Sequence, residues 1–261
     1  MELDFFIIWP FFPLVFIFGL IFGSFLNCLI WRLYKGDTIW GRSYCPWCGH
    51  KIHWYDNIPV ISFLLLKRRC RFCKKKISWQ YPLVELLTAI FFLLSFRFNA
   101  LSGFSVVKLL FDLTLISLLI IVFVFDWRWF LIPVQTLIFG ALILLALNLF
   151  LGFSVGQLFL AMLIGAGFFA LQYLITRGRG LGEGDIWLGG FLGLAFPDIG
   201  HLITLFFLTY IIGGLTSIIL MSLGLKKMGS KLPLGIFLTI SALICLFWAE
   251  NLINWYLGLI L

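Results

Sequence analysis

With 261 residues, 62% of them hydrophobic and 11% charged, the chain lies far from a soluble domain, in which about a quarter of residues are charged. That excludes an ordinary soluble enzyme and indicates an integral membrane protein. The formal net charge of +8 then reports topology and contact with anionic lipid headgroups, since no nucleic-acid-binding motif accompanies it.

In chain order, long apolar runs occupy Phe5–Trp31, Leu83–Phe96, Phe104–Phe125, Phe130–Leu151, Val155–Ile175, Leu202–Leu223 and Leu232–Leu261. A shorter run, Ile186–Phe196, follows a glycine-rich loop. Most meet the roughly 20-residue requirement of a spanning helix, and none shows the period-2 alternation of a barrel strand. The expected fold class is therefore all-α, a polytopic membrane protein with about eight transmembrane helices. The Met1 end carries Glu2 and Asp4 and no cation, and its apolar run is long for a cleavable signal, so the first helix is expected to be retained.

Orientation follows from the cations. Eleven lie between Arg32 and Lys76. Arg128, Arg177, Arg179, Lys226, Lys227 and Lys231 bring the total to seventeen of nineteen, leaving Arg97 and Lys108 on the other side. The positive-inside rule makes the crowded side cytoplasmic, and eight helices with the amino terminus outside satisfy the count.

The one long polar stretch contains Cys45-Pro46-Trp47-Cys48 and Cys70-Arg71-Phe72-Cys73. In a reducing cytoplasmic loop, paired CxxC motifs bind metal more readily than they form disulfides. Four thiolates favour tetrahedral zinc, with rubredoxin-type iron the second choice for a knuckle such as Cys45 to Gly49. Such a site is coordinatively closed and staples the loop. His50 and His53 could replace a thiolate, but four cysteines leave no vacancy. Cys28 and Cys245 lie in apolar helices and read as buried thiols.

Ionisable groups in or beside spanning segments are the remaining places to look for chemistry. Glu85, Asp112, Asp126 and Asp185 qualify. Asp126 is expected where its helix emerges, and Asp185 closes Gly182-Glu183-Gly184-Asp185 and opens the short helix. Either alone would read as a helix cap. Two at matched depth can divide the work of peptide hydrolysis, one ionised to activate water and one protonated to polarise the carbonyl. Asp112 precedes Asp126 by fourteen residues, about 21 Å along a helix, and cannot share a proton with it. Glu85 reads as a residue that orders the loop. Small-residue runs such as Gly165-Ala166-Gly167 and Gly213-Gly214 read as close helix contacts.

In this order, the residues resemble the type IV prepilin peptidases, or leader peptidases, of the GxGD aspartyl protease class. The resemblance rests on Gly23-Ser24-Phe25-Leu26-Asn27 with Trp31-Arg32-Leu33, both CxxC pairs, and Trp54-Tyr55-Asp56-Asn57-Ile58-Pro59 between them. It continues through Ser78 to Glu85, Asp126 with Ile132-Pro133, and the Gly182–Asp185 motif. It spans nearly the whole chain. Three departures from the family pattern stand out. Val134-Gln135 follows Ile-Pro where an Asp is usual, Trp187 stands where a Lys is frequent, and Arg68-Arg69 replaces a Gly-Lys.

The resemblance implies Asp126 and Asp185 as the catalytic pair. It implies cleavage of prepilin or pseudopilin precursors after the glycine ending a basic leader, at the cytoplasmic face of the bacterial inner membrane. It further implies methylation of the new amino terminus from S-adenosylmethionine. The expected organisation is a first transmembrane helix over 1–31, a cytoplasmic zinc-binding loop domain over 32–79 and a helical protease core over 80–261. The expected partners are the precursors and membrane lipid, with no nucleic acid. The alternatives are a peptidase without methyltransferase activity, or a non-catalytic zinc-bearing scaffold or transporter.

Overall fold

A computed structural model describes residues 9–178, 180–227 and 232–260. The acidic end with Glu2 and Asp4, together with Arg179, Lys231 and Leu261, lies outside the described residues. Regular structure among the described residues is helical, apart from two isolated antiparallel bridges, Tyr44 with Lys51 and Arg69 with Lys76. The chain divides into two compact units, one ending at Ser105 and one beginning at Val106.

The first unit contains α1 (Phe11–Lys35), a short α2 (Ile61–Leu65) and α3 (Gln80–Leu101). Lipid gives apolar helices little hydrophobic reason to associate, so close backbone packing must hold them together. On α1, Gly19 and Gly23 provide it. A Cβ at Gly19 would lie 2.5 Å from Ala89 Cα, and one at Gly23 would lie 2.7 Å from Glu85 Cα. Asn27 adds polar contact by donating to the Tyr81 carbonyl at 3.0 Å and accepting from Gln80 at 3.3 Å. Helix α3 begins before the apolar run expected from Leu83 because Pro82 falls in its first turn, where a missing N–H costs nothing.

The second unit holds α4 (Val106–Trp129), α5 (Val134–Phe150), α6 (Val155–Thr176), α7 (Glu183–Ala195), α8 (Ile199–Ser222) and α9 (Leu234–Ile260). Every residue from Leu115 to Val122 is buried, which makes α4 the centre of this unit rather than a lipid-facing helix. Around it, Leu144, Phe169, Leu188, Leu192, Leu202 and Leu238 form a continuous apolar core. Large outward residues such as Phe139, Ile175, Ile203 and Phe207 stay exposed, as lipid contact requires.

The eight apolar helices expected from the sequence correspond to α1 and α3 through α9. Six are long and apolar enough to cross a membrane. Helix α5, with 17 residues, sits at the lower edge of spanning length. Helix α7, with 13 residues, covers about 20 Å and falls short of a hydrocarbon core of about 30 Å.

Candidate active site and metal centre

Asp126 lies in the last turn of α4 and is 5% exposed. The helix continues past it to Trp129 and ends where Phe130 enters the left-handed region at φ 54°. The Asp126 carboxylate faces the start of α9, where the Ile236 N–H donates to Oδ2 at 2.9 Å. The first N–H groups of a helix have no partner within it, so the carboxylate satisfies one of them. Gly235 makes this approach possible, because a Cβ there would lie 2.7 Å from Asp126 Oδ2.

Asp185 reaches the same region from α7 and is 8% exposed. The helix opens at Glu183 with Gly182 as its N-cap, so Asp185 sits in the first turn instead of beginning the helix. Its Oδ2 accepts the Gly182 N–H at 2.9 Å. Glycine has no side chain to return that bond, so only half of a capping box forms. Gly184 serves close approach, since a Cβ there would lie 2.9 Å from Ile132 Cβ in the segment that follows Asp126. The two carboxylates lie within electrostatic reach of each other.

The axial placement of Asp185 depends on the contact between α6 and α7. Cβ atoms at Gly165, Gly189 or Gly193 would fall far inside van der Waals contact with the facing helix: Gly165 against the Gly189 carbonyl, Gly189 against Phe169 and Gly193 against the Ala161 carbonyl. Gly167, in the same sequence run, meets nothing within 4 Å. Asn148 of α5 also donates to the Leu194 carbonyl at 2.9 Å.

In the first unit, the Sγ atoms of Cys45, Cys48, Cys70 and Cys73 all lie within 4.8 Å of one another. Those of Cys45 and Cys73 are 3.9 Å apart. Tetrahedral zinc with bonds of about 2.3 Å would space its sulfurs by about 3.8 Å, so the four thiols fit a single ion. Two local repeats build the cluster. Cys45 N–H donates to the His50 carbonyl and Gly49 N–H to the Cys45 carbonyl, both at 2.9 Å. In the second repeat Cys70 N–H donates to Lys75 at 2.9 Å and Lys74 N–H to Cys70 at 3.0 Å. Gly49 and Lys74 occupy equivalent positions, at φ 69° and 59°. Arg71 grips Asp56 with two bonds, Nε to Oδ2 at 2.8 Å and Nη2 to Oδ1 at 2.6 Å, and holds that carboxyl below its usual range.

Residues 17–98 match the family described as the Bacterial Peptidase A24 N-terminal domain, and residues 113–218 match the Type IV leader peptidase family. The prepilin leader peptidase/N-methyltransferase of Aeromonas salmonicida is 31% identical over 97% of this chain and 96% of its own length. The protein of the same name from Bacillus subtilis is 33% identical over 95% of this chain and 98% of its own length. The chain belongs to the type IV leader peptidase family. Membership makes it a membrane aspartic peptidase and, with six helices among the described residues long and apolar enough to cross a membrane, a multi-pass protein of the inner membrane. No solved structure matches.

Within this leader peptidase, the other acidic candidates have structural partners. Asp112 pairs with Lys108 one turn earlier on α4. Glu85 accepts the Val60 N–H at 2.8 Å and so ties the loop to α3. Sequence reasoning missed Gly235 and Ile236, which hold Asp126 from a position 110 residues away. The only local signal was Pro233-Leu234-Gly235 near the start of the last apolar run. It also missed Tyr210, which lies within electrostatic reach of Asp185 and whose hydroxyl donates to Gln172 Oε1 at 2.7 Å.

Proposed function

We propose that this leader peptidase removes the basic leader of prepilin-like precursors after a glycine at the cytoplasmic membrane face, with Asp126 and Asp185 as its catalytic pair. The observation that carries the reading is the convergence of two buried carboxylates from α4 and α7, each steadied by a backbone N–H at a helix start. Like charges within electrostatic reach of each other favour a state in which one carboxyl is protonated and the other ionised. The ionised group takes a proton from water, whose oxygen attacks the scissile carbonyl carbon. The protonated group donates to the carbonyl oxygen. Collapse of the tetrahedral intermediate breaks the C–N bond, and the leaving amine receives the proton taken from water.

Membrane topology supports the location. A basic leader stays on the cytoplasmic side while the following apolar helix enters the bilayer, so their junction lies at the interface. The cation count puts the cysteine loop and the ends of α4 and α7 on that side, with the amino terminus opposite. The names of the relatives support a second step, methylation of the new amino terminus. There S-adenosylmethionine, when bound, would supply the methyl group to the new amine, which would lose one proton to solvent.

Cys45, Cys48, Cys70 and Cys73 would hold one zinc. A closed four-thiolate site supplies folding free energy to the loop and no open position for substrate. The proposed organisation keeps the first helix at 1–31, the zinc loop at 32–79 and the protease core at 80–261. Reconstituted into vesicles, the purified protein should shorten a prepilin precursor at one Gly bond and add one methyl group when S-adenosylmethionine is present. Failure to cut any such precursor would overturn the peptidase reading, and cut but unmethylated product would leave a peptidase alone.

A further inference from the structure

Polar side chains within spanning helices are costly, and they mark functional places more often than apolar ones do. The second unit carries such a pair outside the aspartates. The Tyr210 hydroxyl of α8 donates to Gln172 Oε1 of α6 at 2.7 Å. Tyr210 is 43% exposed and Gln172 is half-buried, while the exposed residues one position or one turn away, Phe168, Leu171, Phe207 and Ile211, are apolar. Two lines of contact set this pair beside the carboxylates. On one side, the Tyr173 hydroxyl donates to Glu183 at 3.3 Å, which brings this part of α6 level with the first turn of α7, and Tyr210 lies within electrostatic reach of Asp185. On the other side, Ile236 holds Asp126 and is followed by Phe237, whose ring would lie 3.3 Å from a Cβ added at Gly213 of α8. Tyr210 precedes Gly213 by one turn, on the same side of the helix.

The bond between them leaves most of their capacity unused. A primary amide has two N–H donors, and a phenol oxygen accepts as well as donates. Among the described residues no hydrogen bond engages Gln172 Nε2, and none is donated to the Tyr210 oxygen. A donor and an acceptor therefore stand side by side at the depth of the aspartates, the complement of the C=O and N–H of a peptide backbone. The substrate has a need for that complement. Attack on the scissile carbonyl requires a segment released from helical hydrogen bonding, and each N–H and C=O released beside lipid costs free energy until another partner takes it.

We propose that Gln172 and Tyr210 bind the substrate's backbone beside the scissile bond, the Gln172 amide donating to a carbonyl and the Tyr210 oxygen accepting an N–H, so that the segment is held extended at Asp126 and Asp185. The assignment rests on the catalytic pair proposed above. What is recognised is the peptide unit itself, whatever side chains flank the cut.

The test measures cleavage by the full-length protein in lipid nanodiscs. The probes are synthetic precursor peptides spanning the cut, in which an ester replaces one amide at a time among the bonds flanking the scissile one, removing its N–H and weakening its carbonyl as an acceptor. Tyr210→Phe and Gln172→Leu should each raise KM about three- to tenfold, the scale of one hydrogen bond, and change kcat less. In the wild type at least one ester should raise KM to a similar extent, and Tyr210→Phe should lose most of its response to that ester. Tyr210→Phe keeps the edge contact with Phe168, so it carries the test if Gln172→Leu does not fold. Wild-type KM in Tyr210→Phe, or esters without effect on the wild type, would overturn the proposal. A raised KM with an ester response as large as that of the wild type would reduce the pair to a tie between α6 and α8 and would overturn it as well. Asp185→Asn separates the underlying reading: normal cutting by that variant would remove the catalytic pair, whereas an inactive Asp185→Asn beside an unaltered Tyr210→Phe would remove the backbone site alone.

Discussion

The cysteine cluster and the aspartate pair are built in opposite ways. Each cysteine knuckle is local: its ligands, its turn and its bridge lie within eight residues, and the same pattern occurs twice, around Cys45 and around Cys70. The aspartate pair has almost no local support. Asp126 is held from 110 residues away, and Asp185 is positioned by glycine contacts between α6 and α7. A local site should tolerate distant changes and fail at its own ligands. A non-local site should also fail at residues that touch no substrate.

The largest expected effect is at the pair itself. Asp126→Asn or Asp185→Asn should lower precursor cleavage by roughly 10³-fold or more, because the amide neither ionises nor supplies an acidic proton. Metal content and protein level should be unchanged, since Asn remains an accepted helix-capping residue. Wild-type turnover by either variant in a folded preparation would break the assignment, and turnover by both would favour a scaffold. Asp112→Asn is the matched control, with cleavage expected within a few-fold of wild type.

At the cluster, Cys70→Ser should remove most of the bound zinc by elemental analysis and make the 36–78 region the first to be cut by protease. The helices of the second unit should resist as before. A full zinc complement in this variant would point to a ligand other than the four cysteines.

Gly235→Ala sharpens the contrast, because it changes no acidic group. The added methyl would press on the Asp126 carboxylate, and a displacement of about 1 Å can cost about 100-fold in rate. Cleavage should fall toward that extent while zinc stays bound. An unaffected rate would mean that Asp126 does not need its α9 contact.

The smallest effect is Lys74→Gly. It relieves a left-handed residue at the position that Gly49 fills in the other knuckle, and part of that gain returns as backbone entropy. The net effect should be about 0.5–1 kcal/mol, read as a two- to fivefold gain in zinc retention against a chelator.

This difference in construction also explains what could be read in the sequence. The eight apolar helices and the cysteine cluster were legible because length, composition and CxxC spacing are local quantities. The helix boundaries were less so: α7 begins at Glu183, before its apolar run, because Gly182 serves as its cap. Asp126 and Asp185 could be singled out as costly charges and as motif residues. Their holders could not, because Gly235 looks like any helix-start glycine until another helix is placed against it. Among the glycines of the Gly165-Ala166-Gly167 run, periodicity alone does not separate Gly165, which meets a carbonyl, from Gly167, which meets nothing.

The glycine seam between α6 and α7 also bears on how genetic data for this protein would be interpreted. Gly189 and Gly193 lie four and eight residues beyond Asp185, about 6 and 12 Å along the helix axis. A side chain added at either position must push α7 away from α6 or slide it along its axis. The carboxylate at the end of α7 would move with it. A screen for lost processing should therefore recover substitutions at these glycines in full-length protein that inserts normally and keeps its zinc. Without the seam in view, such alleles would be scored as direct lesions of the proposed catalytic pair.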